Sequence, residues 1–203
     1  MAQPMQSGRS MVVAPTQACS RRRSRRGFTL VELMVVVTII GILAFLAVAG
    51  YRTMVKSSHI SEATEMVNAI KLAQEQMHAE TGSYANVSAS LNPGDLYPSA
   101  TPGAFKTVWG AGCATCVGGT DAWKRMPVHA DGPLLYGYAT VAGAQGAALP
   151  GVPVIGMTFP AANALTSDWF VVVARGDQNG NGVFATVVGV SWQRDLFIDK
   201  DSE

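Results

Sequence analysis

Charge is scarce in this chain. Only 14% of its 203 residues are Asp, Glu, Lys or Arg, and 15 basic side chains nearly cancel 14 acidic ones. A near-neutral total argues against a whole-chain nucleic-acid binder. Disorder is excluded as well, because 48% of the residues are hydrophobic and such a chain buries itself. The 21 glycines follow no three-residue period, which excludes a collagen-like rod. No internal repeat and no nucleotide-binding loop stand out. The length suits one domain with an appendage.

Acids are missing altogether from residues 1–27, which hold Arg9, Arg21, Arg22, Arg23, Arg25 and Arg26. That segment carries +6, and the remaining residues carry −5. Charge is missing again from Leu33 to Gly50, 18 residues whose only hydroxyl is Thr38. As a helix this run is roughly 27 Å long, close to the hydrocarbon thickness of a bilayer. Being apolar on every face and lying behind clustered arginines, it reads as a membrane or export element, not a core helix. The arginine bias places Met1–Gly27 in the cytoplasm and the rest outside.

Three kinds of segment fit. Ala47-Val48-Ala49 matches the small-x-small site of a cleaved secretory signal. Ser24-Arg25-Arg26-Gly27-Phe28 is similar to a twin-arginine signal. The third is a retained anchor, cut before the apolar run. Glu32 favours the anchor. A carboxylate at the edge of a membrane helix is costly and serves an export signal nothing, whereas a retained helix can use it as a polar handle.

Proline and glycine are absent from residues 51–81, so the helical pattern continues. Ile60, Ala63, Val67, Ile70, Ala73 and Met77 draw one apolar stripe at spacings of three and four. Glu62, Glu65, Lys71, Glu75 and Glu80 fall largely off it, and Gly82 is a C-terminal stop. One helix from about Phe28 to Thr81 is expected, apolar all round in its first half and amphipathic in its second.

Gly27-Phe28-Thr29-Leu30-Val31-Glu32, followed by Leu33-Met34-Val35-Val36-Val37, resembles the class III signal of type IV pilins and type II secretion pseudopilins. The resemblance covers about Arg26–Tyr51. It implies an α+β pilin-like fold, with a long N-terminal helix packed on a small antiparallel sheet. It implies a leader over 1–27, a helix over 28–82 with its membrane segment at about 30–51, and a loop-rich β domain over 83–203. By resemblance, a prepilin peptidase cuts between Gly27 and Phe28 and N-methylates Phe28. Glu32 then pairs with the Phe28 amine of a neighbouring subunit. The implied partners are other pilin subunits, the peptidase, an inner-membrane assembly platform and the membrane itself. The implied locations are the bacterial inner membrane, then a pilus or periplasmic pseudopilus. The family commonly has a proline where this chain has Ala49, so helix melting there rests on Gly41 and Gly50.

Cysteine is sparse. Cys19 lies in the leader, which leaves Cys113 and Cys116. Outside the cytoplasm this pair reads as a disulfide closing a tiny loop. A zinc half-site with His129, or a thioredoxin-like redox pair, are the alternatives.

In the globular part, β-like runs lie at Leu134–Val141, Val152–Phe159, Trp169–Arg175 and Val183–Trp192. A four-stranded antiparallel sheet over the helix stripe is expected, with long loops at Asn92–Gly119 and Ala142–Gly151. Between the last two runs, Gly176–Gly182 is a turn. Asp177-x-Asn179-x-Asn181-Gly182 matches the first half of a calcium loop, but Val188 stands where the bidentate Glu belongs. The plainer reading is a hairpin rich in residues that tolerate positive φ. Catalysis finds no footing: His59 and His78 lie on the helix, and His129 with Asp131 lacks a nucleophile. Trp109, Trp123, Lys124 and Arg125 offer too few charges for a DNA patch. The chain therefore reads as a non-enzymatic filament subunit without a cofactor. A type II secretion pseudopilin, or a secreted protein with a cleaved signal, are the other readings.

Overall fold

The computed structural model describes residues 27–154 and 156–199, without the side chains of Thr53 and Ala162. The expected leader, with Cys19, lies outside the described residues except for Gly27. The chain divides into two compact units, one ending at Leu46 and one starting at Ala47.

Helix α1 spans Leu30–Thr81, 52 residues. Thr29 starts it: its Oγ1 accepts the Glu32 N–H at 3.2 Å, which is the Thr-x-x-Glu spacing of a capping box. Within the first unit the apolar side chains from Phe28 to Leu46 are exposed on all sides. Thr38 hides its hydroxyl by donating to the carbonyl of Met34 at 2.6 Å, so the segment presents almost no polar side chain. At its far end the helix closes on Gly82, whose N–H donates to the His78 carbonyl and whose φ is +78°. That left-handed conformation suits glycine because it has no Cβ.

The second unit is a helix-on-sheet sandwich with loops on the other face. Four antiparallel strands run in the order β1 (Gly137–Gly143), β2 (Trp169–Gly176), β3 (Ala185–Val190) and β4 (Gln193–Asp199). A short helix, α2 (Ala122–Arg125), lies in the loops before β1. The α1 stripe buries Ala63, Met66, Val67, Ile70 and Ala73 against Tyr138, Phe170, Val172, Ala174 and Val187. The alternate strand residues Ala139, Val171, Val173, Val188 and Val190 form a second cluster on the opposite face. Loop residues Leu91, Leu149, Val154, Met157 and Phe159 cover it. Trp169–Ala174 therefore reads as a continuous apolar run because both of its faces are covered.

Helix and sheet approach closely at Gly189. A Cβ there would sit 2.8 Å from Lys71 Cδ and 3.0 Å from Val67 Cγ1. Polar ties reinforce the contact. Gln74, fully buried, donates to the Ala85 carbonyl at 2.8 Å and to Thr140 Oγ1 at 2.9 Å, and accepts the Ala85 N–H at 2.8 Å. Lys71 Nζ donates to the carbonyls of Gln193 and Arg194. Glu62 accepts the Leu135 N–H at 2.8 Å and pairs with Lys106 at 3.4 Å.

The sheet corrects two expectations read from the sequence. Val152–Phe159 is loop over its described residues, not strand. Pro153 lacks the N–H a ladder needs, and Gly156 turns the chain at φ +89°. The fourth strand is instead β4, whose first three residues are exposed and polar.

Candidate functional site

The residues that the sequence singles out fall on two surfaces, one in each unit. In the first unit, Gly27 and Phe28 immediately precede α1, and the Phe28 side chain is 78% exposed. Glu32 is exposed one turn later, in the first turn of the helix. A carboxylate there meets the positive end of the helix dipole and the orphan N–H groups of the first turn. Thr29 adds a role that the sequence motif alone does not assign, although its spacing from Glu32 is readable as a capping signal. Further along, Met34, Val37, Gly41 and Phe45 line an open apolar groove of about 700 Å³. Gly41 contributes no side chain to this groove, and nothing lies within 4 Å of the place a Cβ would take.

In the second unit, Cys113 and Cys116 are disulfide-bonded, with their Cα atoms 5.5 Å apart. The Cys113 N–H donates to the Thr120 carbonyl, and the Val117 N–H donates to Val87. The disulfide closes a tight turn, and the Val117–Val87 hydrogen bond ties that turn to the segment that follows α1. No helix starts at the pair, as a thioredoxin-like site needs. Among the described residues no group of three His, Cys, Asp or Glu side chains gathers as a metal site.

Asp177, Asn179 and Asn181 come together in the β2–β3 turn, but their oxygens face inward to the turn's own backbone. Asp177 Oδ1 accepts the N–H of Gly180 at 2.8 Å and of Asn181 at 3.1 Å. Asp177 Oδ2 accepts Gly182 N–H at 2.8 Å. Asn179 Oδ1 accepts Asn181 N–H, and Asn181 Oδ1 accepts Val183 N–H. Calcium takes six to eight oxygens, carboxylates prominent among them. This set supplies one carboxylate, already engaged.

The remaining candidates are structural. His59 Nδ1 hydrogen-bonds to Gln178 Oε1, and His78 stacks on Tyr84 with ring centroids 4.4 Å apart. Burial pushes the Tyr84 phenol up to about 12, and the neighbouring Glu75 carboxylate adds to it. His129 and Asp131 border a cleft of about 230 Å³ with Glu62 and Glu65, and no Ser, Thr or Cys lines it. Trp123 is buried beside Tyr97 and Trp109. Lys124 pairs with Asp121 at 2.8 Å, and Arg125 donates to the Gly118 carbonyl. No exposed aromatic–basic patch forms there.

These features define a class: an α+β protein led by a long helix whose first unit is apolar on every side. Comparison with known proteins narrows the class. The prokaryotic N-terminal methylation motif matches residues 22–48. A fimbrial protein of Pseudomonas aeruginosa is 38% identical over 80 residues, 39% of this chain and 44% of that protein. Fimbrial protein EcpC of Eikenella corrodens is 35% identical over 77 residues, 35% of this chain and 50% of that protein. The type IV major pilin protein PilA of Myxococcus xanthus is 43% identical over 66 residues, 32% of this chain and 30% of that protein. The chain thus spans half or less of each of these relatives. No solved structure matches it significantly. Its N-terminal region thus carries the prokaryotic methylation motif and is similar to fimbrial and type IV pilin proteins.

Proposed function

We propose that this chain is a structural subunit of a type IV pilus. The observation that carries the reading is the Gly27–Phe28–Glu32 junction opening directly onto α1, a helix with no buried face in its first unit. Residues 1–27 act as a cytoplasmic leader, residues at about 30–51 hold the precursor in the inner membrane, and residues 83–203 lie outside the cytoplasm. Prepilin peptidase cuts after Gly27, which offers no side chain to obstruct the approach, and N-methylates Phe28. Methylation leaves the amine cationic. In the filament that amine meets Glu32 of a neighbouring subunit. Each charge is unfavourable alone among apolar helices, so pairing selects one register even where it adds little net stability. The groove at Gly41 receives side chains of adjacent helices. The work is assembly, and no catalytic or cofactor role is proposed.

Mass spectrometry of the mature N-terminus tests the reading. A chain beginning at methylated Phe28 supports it, and one beginning at Gly50 restores an ordinary cleaved signal. Glu32→Ala should block incorporation into filaments while leaving membrane insertion intact. A secretion pseudopilin would share the junction. The fimbrial and pilin names of the relatives favour the pilus, and a secretion defect without filament loss in a deletion strain would reverse that preference.

A further inference from the structure

The β2–β3 turn contains two Asn–Gly pairs, Asn179-Gly180 and Asn181-Gly182, and all four residues are exposed. Asn–Gly is the pair most open to spontaneous deamidation, because glycine puts no Cβ between its nitrogen and the preceding side chain. The backbone nitrogen of the glycine gives up its proton and bonds to the asparagine Cγ. The Cγ–Nδ2 bond breaks, and ammonia leaves with that proton. Water then opens the cyclic imide to aspartate or isoaspartate, adding a negative charge and, for isoaspartate, rerouting the backbone. Exposure supplies the water, so shielding cannot protect these two sites.

Both attacking nitrogens are held by one residue. Gly180 N–H donates to Asp177 Oδ1 and Gly182 N–H donates to Asp177 Oδ2, each at 2.8 Å. Both target carbonyls are also held: Asn179 Oδ1 by Asn181 N–H at 2.9 Å, and Asn181 Oδ1 by Val183 N–H at 2.7 Å. We propose that Asn179 and Asn181 are latent deamidation sites and that the Asp177 carboxylate guards both of them. A carboxylate beside an amide opposes formation of the amide anion, since like charges disfavour ionisation. It also fixes the nitrogen's direction, and turning either asparagine Cγ over its attacker breaks a hydrogen bond. The turn cannot easily relax around this clamp. Gln178 bonds to His59 on α1 and to Tyr136 Oη at 3.3 Å.

The opposite sign is chemically conceivable, with the carboxylate drawing the proton off and speeding attack. Peptide mapping by mass spectrometry distinguishes them. The full chain is aged in mildly alkaline buffer and deamidation is counted separately at Asn179 and Asn181. The guard predicts that Asp177→Ala deamidates about tenfold faster than wild type at both sites, the scale of one lost charge-assisted hydrogen bond. It predicts that unfolded wild type in urea is faster still. Asp177→Asn gives a finer test, because an amide has one acceptor oxygen. That oxygen can keep Gly180 and Asn181, while its NH2 group faces the Gly182 N–H. Asn181 should then lose more protection than Asn179, which loses the charge but keeps its hydrogen bond. Circular dichroism verifies that each variant is folded. Equal or slower deamidation in folded Asp177→Ala overturns the guard. So does equal loss at both sites in folded Asp177→Asn. Where a variant does not fold, a wild-type rate in buffer equal to that in urea overturns it alone.

Discussion

Two stretches of α1 share one backbone and solve opposite problems. Between Leu30 and Leu46 apolar side chains occupy every direction around the helix and none is buried. Between Ala63 and Gln74 the apolar residues keep to one stripe, and that stripe is sealed under the sheet. A helix with one greasy face completes itself on its own chain. A helix greasy all round needs an apolar surrounding from elsewhere, a bilayer or other helices. The pattern of hydrophobic residues, more than their number, therefore separates what folds alone from what must be received.

The sharpest way to break this comparison is to remove the same side chain from each stretch. Ile70→Ala should cost about 2–5 kcal/mol, the usual range for a core truncation. Ile39→Ala should change stability by no more than about 0.5 kcal/mol, as surface substitutions do. Urea titration of the detergent-solubilised chain followed by circular dichroism measures both, because the helical signal comes from both stretches of α1, whereas all four tryptophans lie in the second unit. Comparable losses would show that the first unit has a core of its own. Next in size, Gln74→Leu should cost about 2–3 kcal/mol, because it leaves Ala85 and Thr140 polar groups buried and unpaired. Gly189→Ala should cost about 1–3 kcal/mol by forcing Val67 and Lys71 away from the sheet. Unchanged stability in that variant would mean the helix–sheet contact gives way easily. Paired Cys113→Ser and Cys116→Ser changes should cost about 1–2 kcal/mol, since so short a loop constrains the unfolded chain little.

The smallest effect is electrostatic. Tyr84 ionises at about 12 in the folded chain and near its ordinary value of 10 when unfolded. The raised value favours the neutral phenol in the folded state. Its contribution to stability is therefore complete below pH 10 and is lost as pH rises toward 12. Glu75→Gln should move the Tyr84 transition in an ultraviolet titration downward, and only partly, because burial is the larger cause. No movement would remove Glu75 from the account.

Long-period patterns are legible in the sequence, and local polar exceptions are not. The 3.6-residue stripe locates the buried face of α1, and the glycine–asparagine cluster locates the β2–β3 turn. The disulfide pair follows once Cys19 is set apart with the leader. Val152–Phe159 misleads because its apolar residues suit a strand, yet Val154, Met157 and Phe159 pack as loop residues on a face already made by β2 and β3. Strand β4 escapes notice because Gln193, Arg194 and Asp195 face solvent at its start. Gln74 looks like a surface residue beside buried Ala73, and only its three hydrogen bonds explain its place. In the first unit Thr29 carries a readable capping signal that is overshadowed by the motif around it.

The borders of the sheet have a further consequence. An unpaired strand edge is a template on which any other strand can grow. Here the outer edge of β1 is met by the segment from Asn86 to Tyr97, through reciprocal Tyr97–Tyr138 bonds and donors to the Thr140 carbonyl. The other border, β4, opens with Arg194 and Asp195 exposed. The filament role proposed above would bring such sheets side by side at high local concentration, where the wrong element could join. One margin closed by its own chain and one marked with charge would then leave stacking to the helix and keep strands out of it.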